Sequence, residues 1–192
     1  MIRTGKLPQE TVVVMDSHTM GQHIHRMARE IVEDNPDIGS LVILGILRRG
    51  RPLADRFARL IGEMTGQTPR VGSLATTLYR DDYRTGLGTA KQRGDTHFDF
   101  SIDGVTVLLV DDVLAAGRTI RAAMDEVMDY GRPRRIQLAC LVDRGGRELP
   151  IQPEYFGWCV ATRANEWVSV RLSEMDGEDV VLLERYNAEE GA

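Results

Sequence analysis

Cysteine is scarce in this chain, and long apolar runs are missing. The 192 residues include only two cysteines, Cys140 and Cys159, each inside an apolar, strand-like run. Two buried thiols are more typical of core residues than of a disulfide or a metal site. No stretch approaches the roughly 20 apolar residues of a membrane-spanning helix, and the N-terminus lacks the pattern of a signal peptide. We therefore expect a cytoplasmic protein with no membrane partner.

An excess of positive charge is also missing. The formal net charge is −5, which argues against a uniformly basic nucleic-acid-binding protein but allows a local basic patch. The four histidines are not at metal-ligand spacing with cysteine or acidic partners, so no side-chain metal site is expected. No internal repeat or low-complexity segment is found. The length suits a single domain over residues 1–192.

Strand-like and helix-like patterns alternate along the chain, which is typical of a parallel α/β sheet. Apolar runs predict strands at Thr11–Met15, Leu41–Ile46, Val71–Leu78, Val107–Val110 and Ile136–Val142. Apolar residues at helical spacing predict three helices, one capped by Ser17, one ending near Gly66 and one stopped by Gly131. Short β-type runs follow at Tyr155–Thr162, Trp167–Leu172 and Val180–Leu183.

The most informative motif begins with the strand-like run Val107–Val110. Asp111 and Asp112 follow at its carboxyl end, and the small-residue loop Ala115–Gly117 then leads to Thr119, which opens a helical pattern. In an open parallel sheet, ligands bind where strands end and helices begin. Loop amides and a helix N-terminus can hold a phosphate, and carboxylates can accept hydrogen bonds from a vicinal diol. Together these features predict a ribose 5-phosphate site.

Two other segments have the character of a binding site. Arg48 and Arg49 precede Gly50 at the end of an earlier strand-like run, and guanidinium groups pair well with phosphate oxygens. The polar stretch from Arg80 to Phe98 breaks the alternation of strands and helices. It predicts either an exposed hairpin or a flexible lid loop that excludes water.

The run from Val107 to Thr119 resembles the phosphoribosyl-pyrophosphate (PRPP) motif of type I phosphoribosyltransferases. Four further segments resemble one family within that group, the bifunctional pyrimidine operon attenuation regulators with uracil phosphoribosyltransferase activity: Thr77–Asp82, Tyr130–Pro133, Ile136–Ala139 and Leu141–Pro150. The part Asp143–Pro150 is the most specific, because ordinary type I enzymes lack it. The resemblance implies a type I phosphoribosyltransferase-like parallel β-sheet flanked by helices, with a small β-rich hood and a flexible lid loop.

The resemblance also implies two activities. One makes uridine monophosphate (UMP) and pyrophosphate from uracil and PRPP, with Mg²⁺ bound together with PRPP. The other binds a hairpin in the leader of pyrimidine-operon mRNA when UMP is present. At least a homodimer is expected. Two alternatives stay open, a nucleotide-sensing RNA-binding regulator with little catalysis and an enzyme that has lost RNA binding.

The resemblance assigns roles to individual positions. The expected catalytic residues are Asp111, Asp112, Arg48 and Arg49. The residues expected to bind PRPP or UMP are Leu47, Arg48, Arg49, Gly50, Tyr79, Arg80, Asp111, Asp112, Leu114, Ala115, Ala116, Gly117, Arg118 and Thr119. The residues expected near the base are Val142, Asp143 and Arg144, and those expected to bind RNA are His25, Arg26, Arg29, Arg144 and Arg147. A non-proline cis peptide is expected between Leu47 and Arg48.

Several positions depart from the family pattern. Arg48 stands where a Thr is usual, and Ala115-Ala116 stands where Tyr-Thr is usual; the hydroxyl missing at Ala116 removes a phosphate hydrogen bond of about 1.5–3 kcal/mol. On the RNA side, the departures are Asp34, Gly146 and Gln152. We therefore predict salt-sensitive, UMP-stimulated RNA binding weaker than the family norm, which Arg147→Ala reduces without affecting uracil turnover.

Overall fold

The computed structural model describes residues 7–75 and 96–187. Tyr79, Arg80 and most of the predicted lid lie outside this part of the chain. The described strands and helices are, in order, β1 (Glu10–Met15), α1 (Ser17–Asp34), β2 (Leu41–Ile46), α2 (Gly50–Thr65), β3 (Arg70–Leu74), β4 (Thr106–Leu114), α3 (Arg118–Tyr130), β5 (Arg135–Asp143), β6 (Tyr155–Cys159), β7 (Glu166–Arg171), α4 (Ser173–Asp176) and β8 (Val180–Arg185).

The main sheet has five strands in the order β3-β2-β4-β5-β6, and every neighbouring pair is parallel. This confirms the predicted parallel α/β fold. The chain first adds β3 on one side of β2 and then places β4 and the later strands on the other side. The strand order therefore reverses between β2 and β4, and such a switch point opens a crevice at the carboxyl ends of the strands.

Helices cover both faces of this sheet, which explains why its central strands are continuously apolar. Every residue of β2 is buried. On one face, Leu41 and Ile43 pack with apolar residues of α1 and α2, such as Met27 and Phe57. On the other face, Val42, Leu44 and Ile46 pack with Ile120, Ala123 and Val127 of α3. The two clusters form the core and hold the carboxyl ends of β2 and β4 in place.

A second, three-stranded antiparallel sheet with the order β1-β8-β7 forms the expected small hood. The last three β-type runs of the sequence do not all belong to it, since β6 joins the main sheet as an edge strand. Arg56 of α2 connects the hood to the main domain. Its guanidinium lies 2.6 Å from a carboxylate oxygen of Glu174 and 2.7 Å from one of Asp179.

Two local predictions were wrong. Asp16, and not Ser17, caps α1, because its Oδ1 accepts a hydrogen bond from the Thr19 amide at 2.8 Å. Cys159 is exposed, because it ends an edge strand, whereas Cys140 is buried as expected; neither is in a disulfide.

The predicted end of α2 is confirmed, as Gly66 follows it with φ +74°. Among the described helices, none is long and apolar enough to cross a membrane.

Candidate functional site

The Arg-rich loop after β2 lies directly against β4. A Cβ atom at position 50 would lie only 2.2 Å from the carbonyl oxygen of Val110, so only glycine fits there. Val110 immediately precedes Asp111, and the loop is therefore held beside the acidic pair. The amide of Leu47 donates to the carbonyl of Leu74 at 2.9 Å, and the expected cis peptide between Leu47 and Arg48 is present.

The acidic pair lies inside β4 and not after it, because the strand continues to Leu114. Asp111 is buried, and its Oδ1 accepts a hydrogen bond from the Asp112 amide at 2.9 Å. Burial raises the pKa of Asp112, while its hydrogen bond with Asp111 and the positive charge of Arg49 oppose that rise. Two adjacent acids recessed beside a cation suit a ligand that carries hydroxyl groups and balances their charge.

Arg49 points between the acidic pair and the hood. Its guanidinium contacts both carboxylate oxygens of Asp176, at 3.1 and 3.3 Å. Its Nε is buried and has no hydrogen-bond acceptor in the described part of the chain. A buried donor without an acceptor is costly, and an anion in the crevice would satisfy it. Arg48, in contrast, is exposed.

Asp176 is a site residue that the sequence reasoning missed. The Leu172 amide donates to its carboxylate and, against the opposing effect of burial, lowers its pKa together with Arg49. It belongs to the polar, acidic segment Ser173–Asp179, which has the composition of an ordinary surface turn. No sequence pattern indicates a contact with a residue 127 positions earlier.

The small-residue loop after β4 leads into α3, which begins at Arg118, one residue before the predicted start at Thr119. Gly117 is the N-cap residue with φ +92°, a conformation that glycine adopts without strain. Gly117 has no side chain with which to cap this end of the helix. Its first-turn amides and the positive end of the helix dipole therefore face the loop in the manner of a phosphate-binding helix.

The segment Asp143–Ile151 packs on this loop. The amides of Glu148 and Leu149 both donate to the carbonyl of Ala116, at 3.0 and 3.1 Å. The side chains of Leu149 and Ile151 approach to 3.5 Å of the position where a Cβ of Gly117 would be. The segment that contributes most to the resemblance is thus the supporting layer of the small-residue loop, which the sequence reasoning did not predict.

The structure brings the residues expected near the base to the same edge of the sheet. Leu114 pairs with Asp143, and its carbonyl accepts a hydrogen bond from the Arg144 amide at 3.0 Å. Leu114 and Val142 are buried, so their side chains pack in the core beneath this edge of the sheet. The Asp143 carboxylate already accepts hydrogen bonds from the Gly145 amide and from Arg147.

The residues expected to bind RNA are only partly brought together. His25 and Arg29 are exposed on α1, and Arg26 reaches β6, where it donates to the carbonyls of Phe156 and Gly157 at 2.7 and 3.0 Å. Arg144 also stays near the surface, with its guanidinium over the ring of Trp167.

Arg147 differs from the expectation of a solvent-facing cation. Its side chain is 15% exposed and donates to Asp143 and to the carbonyls of Ala115 and Ile151. It therefore braces the small-residue loop. The effect of Arg147→Ala on RNA binding stays a prediction, and the contact with Ala115 gives a reason for uracil turnover to change as well.

Comparison with known proteins identifies relatives over nearly the whole chain. The family model of the phosphoribosyl transferase domain matches residues 14–182. "Bifunctional protein PyrR" of Pelotomaculum thermopropionicum is 49% identical over 179 residues, 93% of this chain and 98% of that protein. The protein of the same name from Thermus aquaticus is 49% identical over 170 residues, 88% of this chain and 93% of that protein. The hypoxanthine phosphoribosyltransferase of Trypanosoma cruzi shares the fold, with a TM-score of 0.68 at 17% identity over 91% of this chain and 97% of that one.

Proposed function

We infer that this chain, which belongs to the phosphoribosyl transferase domain family and within it to the bifunctional PyrR proteins, has two activities. We propose that it converts uracil and PRPP into UMP and pyrophosphate, and that it regulates pyrimidine biosynthesis. The observation that carries the enzymatic half is the meeting of two loops at the switch point of the sheet. One loop offers guanidinium donors, the other leads into a helix N-terminus, and the acidic pair follows Val110, against which the first loop packs.

The proposed binding mode follows from the charges of these groups. The 5-phosphate of PRPP lies on Ala115–Thr119, the ribose hydroxyls contact Asp111 and Asp112, and the pyrophosphate lies on Leu47–Gly50. As the bond between C1 and oxygen breaks, positive charge develops on the ribose and negative charge on the pyrophosphate. The carboxylates stabilise the first charge, and Arg49 stabilises the second.

Mg²⁺ bound with PRPP would neutralise part of the pyrophosphate charge. In the described part of the chain, no group of three or more His, Cys, Asp or Glu side chains could hold a metal ion. Mg²⁺ keeps several waters and is commonly held by one or two carboxylates together with substrate oxygens. Asp111 and Asp112 are the carboxylates that we propose for this role.

A direct assay with radiolabelled bases tests the enzymatic half. With PRPP and Mg²⁺ present, uracil is expected to be converted, whereas hypoxanthine and orotate are not. The double variant Asp111→Asn/Asp112→Asn is expected to remain folded, to bind PRPP far less well and to lose turnover, because its neutral amides cannot stabilise the developing positive charge. Wild-type activity in this variant would show that the site has been placed wrongly.

The regulatory half is the UMP-dependent binding of a hairpin in pyrimidine-operon leader mRNA. The exposed His25 and Arg29, the half-buried Arg26 and Arg144 at the end of β5 are the residues that support it. Both activities would take place in the cytoplasm, and at least a homodimer is expected. A filter-binding titration with the leader hairpin is expected to show retention that UMP increases and salt decreases. Such retention without measurable uracil turnover would favour a nucleotide-sensing regulator, and the reverse result an enzyme alone.

A further inference from the structure

The edge strand β6 exposes two large aromatic side chains outside the proposed PRPP site. Phe156 is 43% exposed and Trp158 is 46% exposed, and they alternate with the buried residues Tyr155 and Gly157. Because successive side chains of a strand point to opposite faces, Phe156 and Trp158 lie on the same face. Neither residue is used by the enzymatic site.

Polar and cationic groups surround this aromatic pair. The ring of His23 meets the ring of Trp158 edge-on, with 5.8 Å between centroids. Arg26 is fixed beside Phe156 by its hydrogen bond to the Phe156 carbonyl. Trp158 also pairs with Val142 of β5, only two residues before Arg144.

Together these side chains form a strip of aromatic and cationic groups, and this strip continues beyond Arg144. The Arg144 guanidinium lies 5.2 Å from the ring centroid of Trp167, which is itself 42% exposed. Aromatic rings and cations therefore alternate from β6 to the start of β7.

Basic and acidic residues are unevenly distributed along α1, and the basic part lies near Trp158. Its segment from Ser17 to Arg29 contains three histidines, two arginines and no acidic residue, whereas Glu30, Glu33 and Asp34 follow in its last part. Asp34 accepts a hydrogen bond from the Tyr155 hydroxyl at 3.0 Å, while His23 meets Trp158. The helix thus runs opposite to β6, and Trp158 lies beside the half that lacks acidic residues. This half offers a polyanion the exposed Arg29 and the half-buried Arg26, whose guanidinium also pairs with Glu30 at 2.6 Å.

We propose that Trp158, with Phe156 beside it, is a stacking platform for unpaired bases of the RNA hairpin. Unpaired bases stack on aromatic side chains, and neighbouring cations hold the phosphates. The proposal rests on the RNA-binding half of the proposed function and deepens it, because it adds base stacking to contacts that were so far only cationic. It also gives a role to aromatic residues that the resemblance did not assign.

The two tryptophans of the chain allow a direct measurement. In Trp167→Phe, Trp158 is the only tryptophan, and its fluorescence reports on its own surroundings. The leader hairpin, with UMP present, is expected to quench this fluorescence, and a duplex of the same stem without the loop is not. An unchanged emission on saturation with the hairpin would overturn the proposal.

Affinity measurements complete the test. Losing one stacked base corresponds to a decrease of roughly 5- to 150-fold in hairpin affinity, which we expect for Trp158→Ala but not for Trp158→Phe. Met128→Ala is the matched control, because Met128 is equally exposed, at 43%, on α3. Uracil turnover is expected to be the same in all three variants and in the wild type.

The possible outcomes separate this proposal from the proposed function. If the wild type shows no UMP-dependent retention of the hairpin, the RNA-binding half fails, and the platform fails with it. If the wild type binds and Trp158→Ala binds equally well, only the platform is overturned. If Trp158→Ala changes the mass of the protein in size-exclusion chromatography with light scattering, the strip is an interface between copies of the chain, which also overturns the platform.

Discussion

Gly50 controls how closely the Arg-rich loop approaches the acidic strand. A methyl group at this position would meet the Val110 carbonyl oxygen at 2.2 Å, and this backbone atom belongs to the central strand. We expect Gly50→Ala to separate the loop from the acidic pair, to raise the KM for PRPP at least about 10-fold and to cost about 1–3 kcal/mol of stability.

Gly21→Ala is the control for Gly50→Ala. Gly21 lies within α1, and a Cβ there would meet no atom within 4 Å. This change is therefore expected to leave the KM for PRPP unchanged and to stabilise the protein slightly, because alanine favours the helix. Equal kinetics in Gly50→Ala and Gly21→Ala would contradict the role given to Gly50.

Asp176 competes with any anion for Arg49. Replacing its carboxylate by an amide removes a negative charge 3.1 Å from the guanidinium, while the amide oxygen can still accept a hydrogen bond. We expect Asp176→Asn to lower the KM for PRPP and the inhibition constant of pyrophosphate by about 2- to 10-fold. Higher values for both constants would show instead that Asp176 positions Arg49 for the substrate.

At the scale of elements, Arg56 holds the hood against α2. Its side chain is 15% exposed and donates to Glu174, to Asp179 and to the hydroxyl of Ser173. Because its loss leaves two acids without their partner, we expect Arg56→Ala to lower the free energy of unfolding by about 1–3 kcal/mol. Thermal denaturation would measure this change. Arg59→Ala is the control, since Arg59 forms an exposed pair with Glu63, and this substitution is expected to cost less than about 0.5 kcal/mol.

The same contact predicts how stability changes with pH. The hydrogen bond from Arg56 is the main cause that lowers the pKa of Glu174. At Asp179, burial alone would raise the pKa, but the hydrogen bonds from Arg56 and Ser173 together with the charge of Arg56 lower it. Groups with a lowered pKa stabilise the fold above their ordinary pKa values, 4.5 and 3.8 here, and lose that effect as the pH falls through their lowered values.

Thermal denaturation of the wild type and of Arg56→Ala between pH 7 and pH 3 measures this dependence. We expect the difference in melting temperature to be largest near pH 7 and to shrink below about pH 4. A difference that is the same at all pH values would exclude these two acids as its source.

The elements that could be predicted from the sequence are those whose type and bounds depend on their own residues and not on contacts with distant segments. β2 matches the predicted strand because six apolar residues in a row are buried on both faces, and α2 ends at Gly66 because glycine accepts a left-handed conformation. The N-cap of α1 was misplaced by one residue, because Asp16 and Ser17 are both capable caps. The run at Tyr155 indicated a strand but not the sheet to which it belongs.

In the candidate site, too, the residues that local sequence specifies could be predicted, and those that depend on distant contacts could not. Asp111, Asp112 and the small-residue loop are contiguous, so their spacing carried the prediction. Asp176 and Arg147 act through contacts that form only when distant segments meet. Their roles could not be read from local patterns.

At the scale of the whole molecule, the small-residue loop Ala115–Gly117 and the segment Asp143–Ile151 are one packed unit. Ala115 and Ala116 offer carbonyl oxygens, and Arg147, Glu148 and Leu149 donate to them. Deleting the segment would remove the donors of these acceptors, so shortening the chain here is expected to disturb the small-residue loop as well.

Two exposed positions, one in that segment and one just after it, are not donors to the loop. These are Gly146 and Gln152. Gly146 has φ +73°, which a residue other than glycine adopts only with strain, whereas Gln152 has no such restriction. A change of surface charge at Gln152 is therefore expected to leave the support of the small-residue loop, and with it the proposed PRPP site, intact.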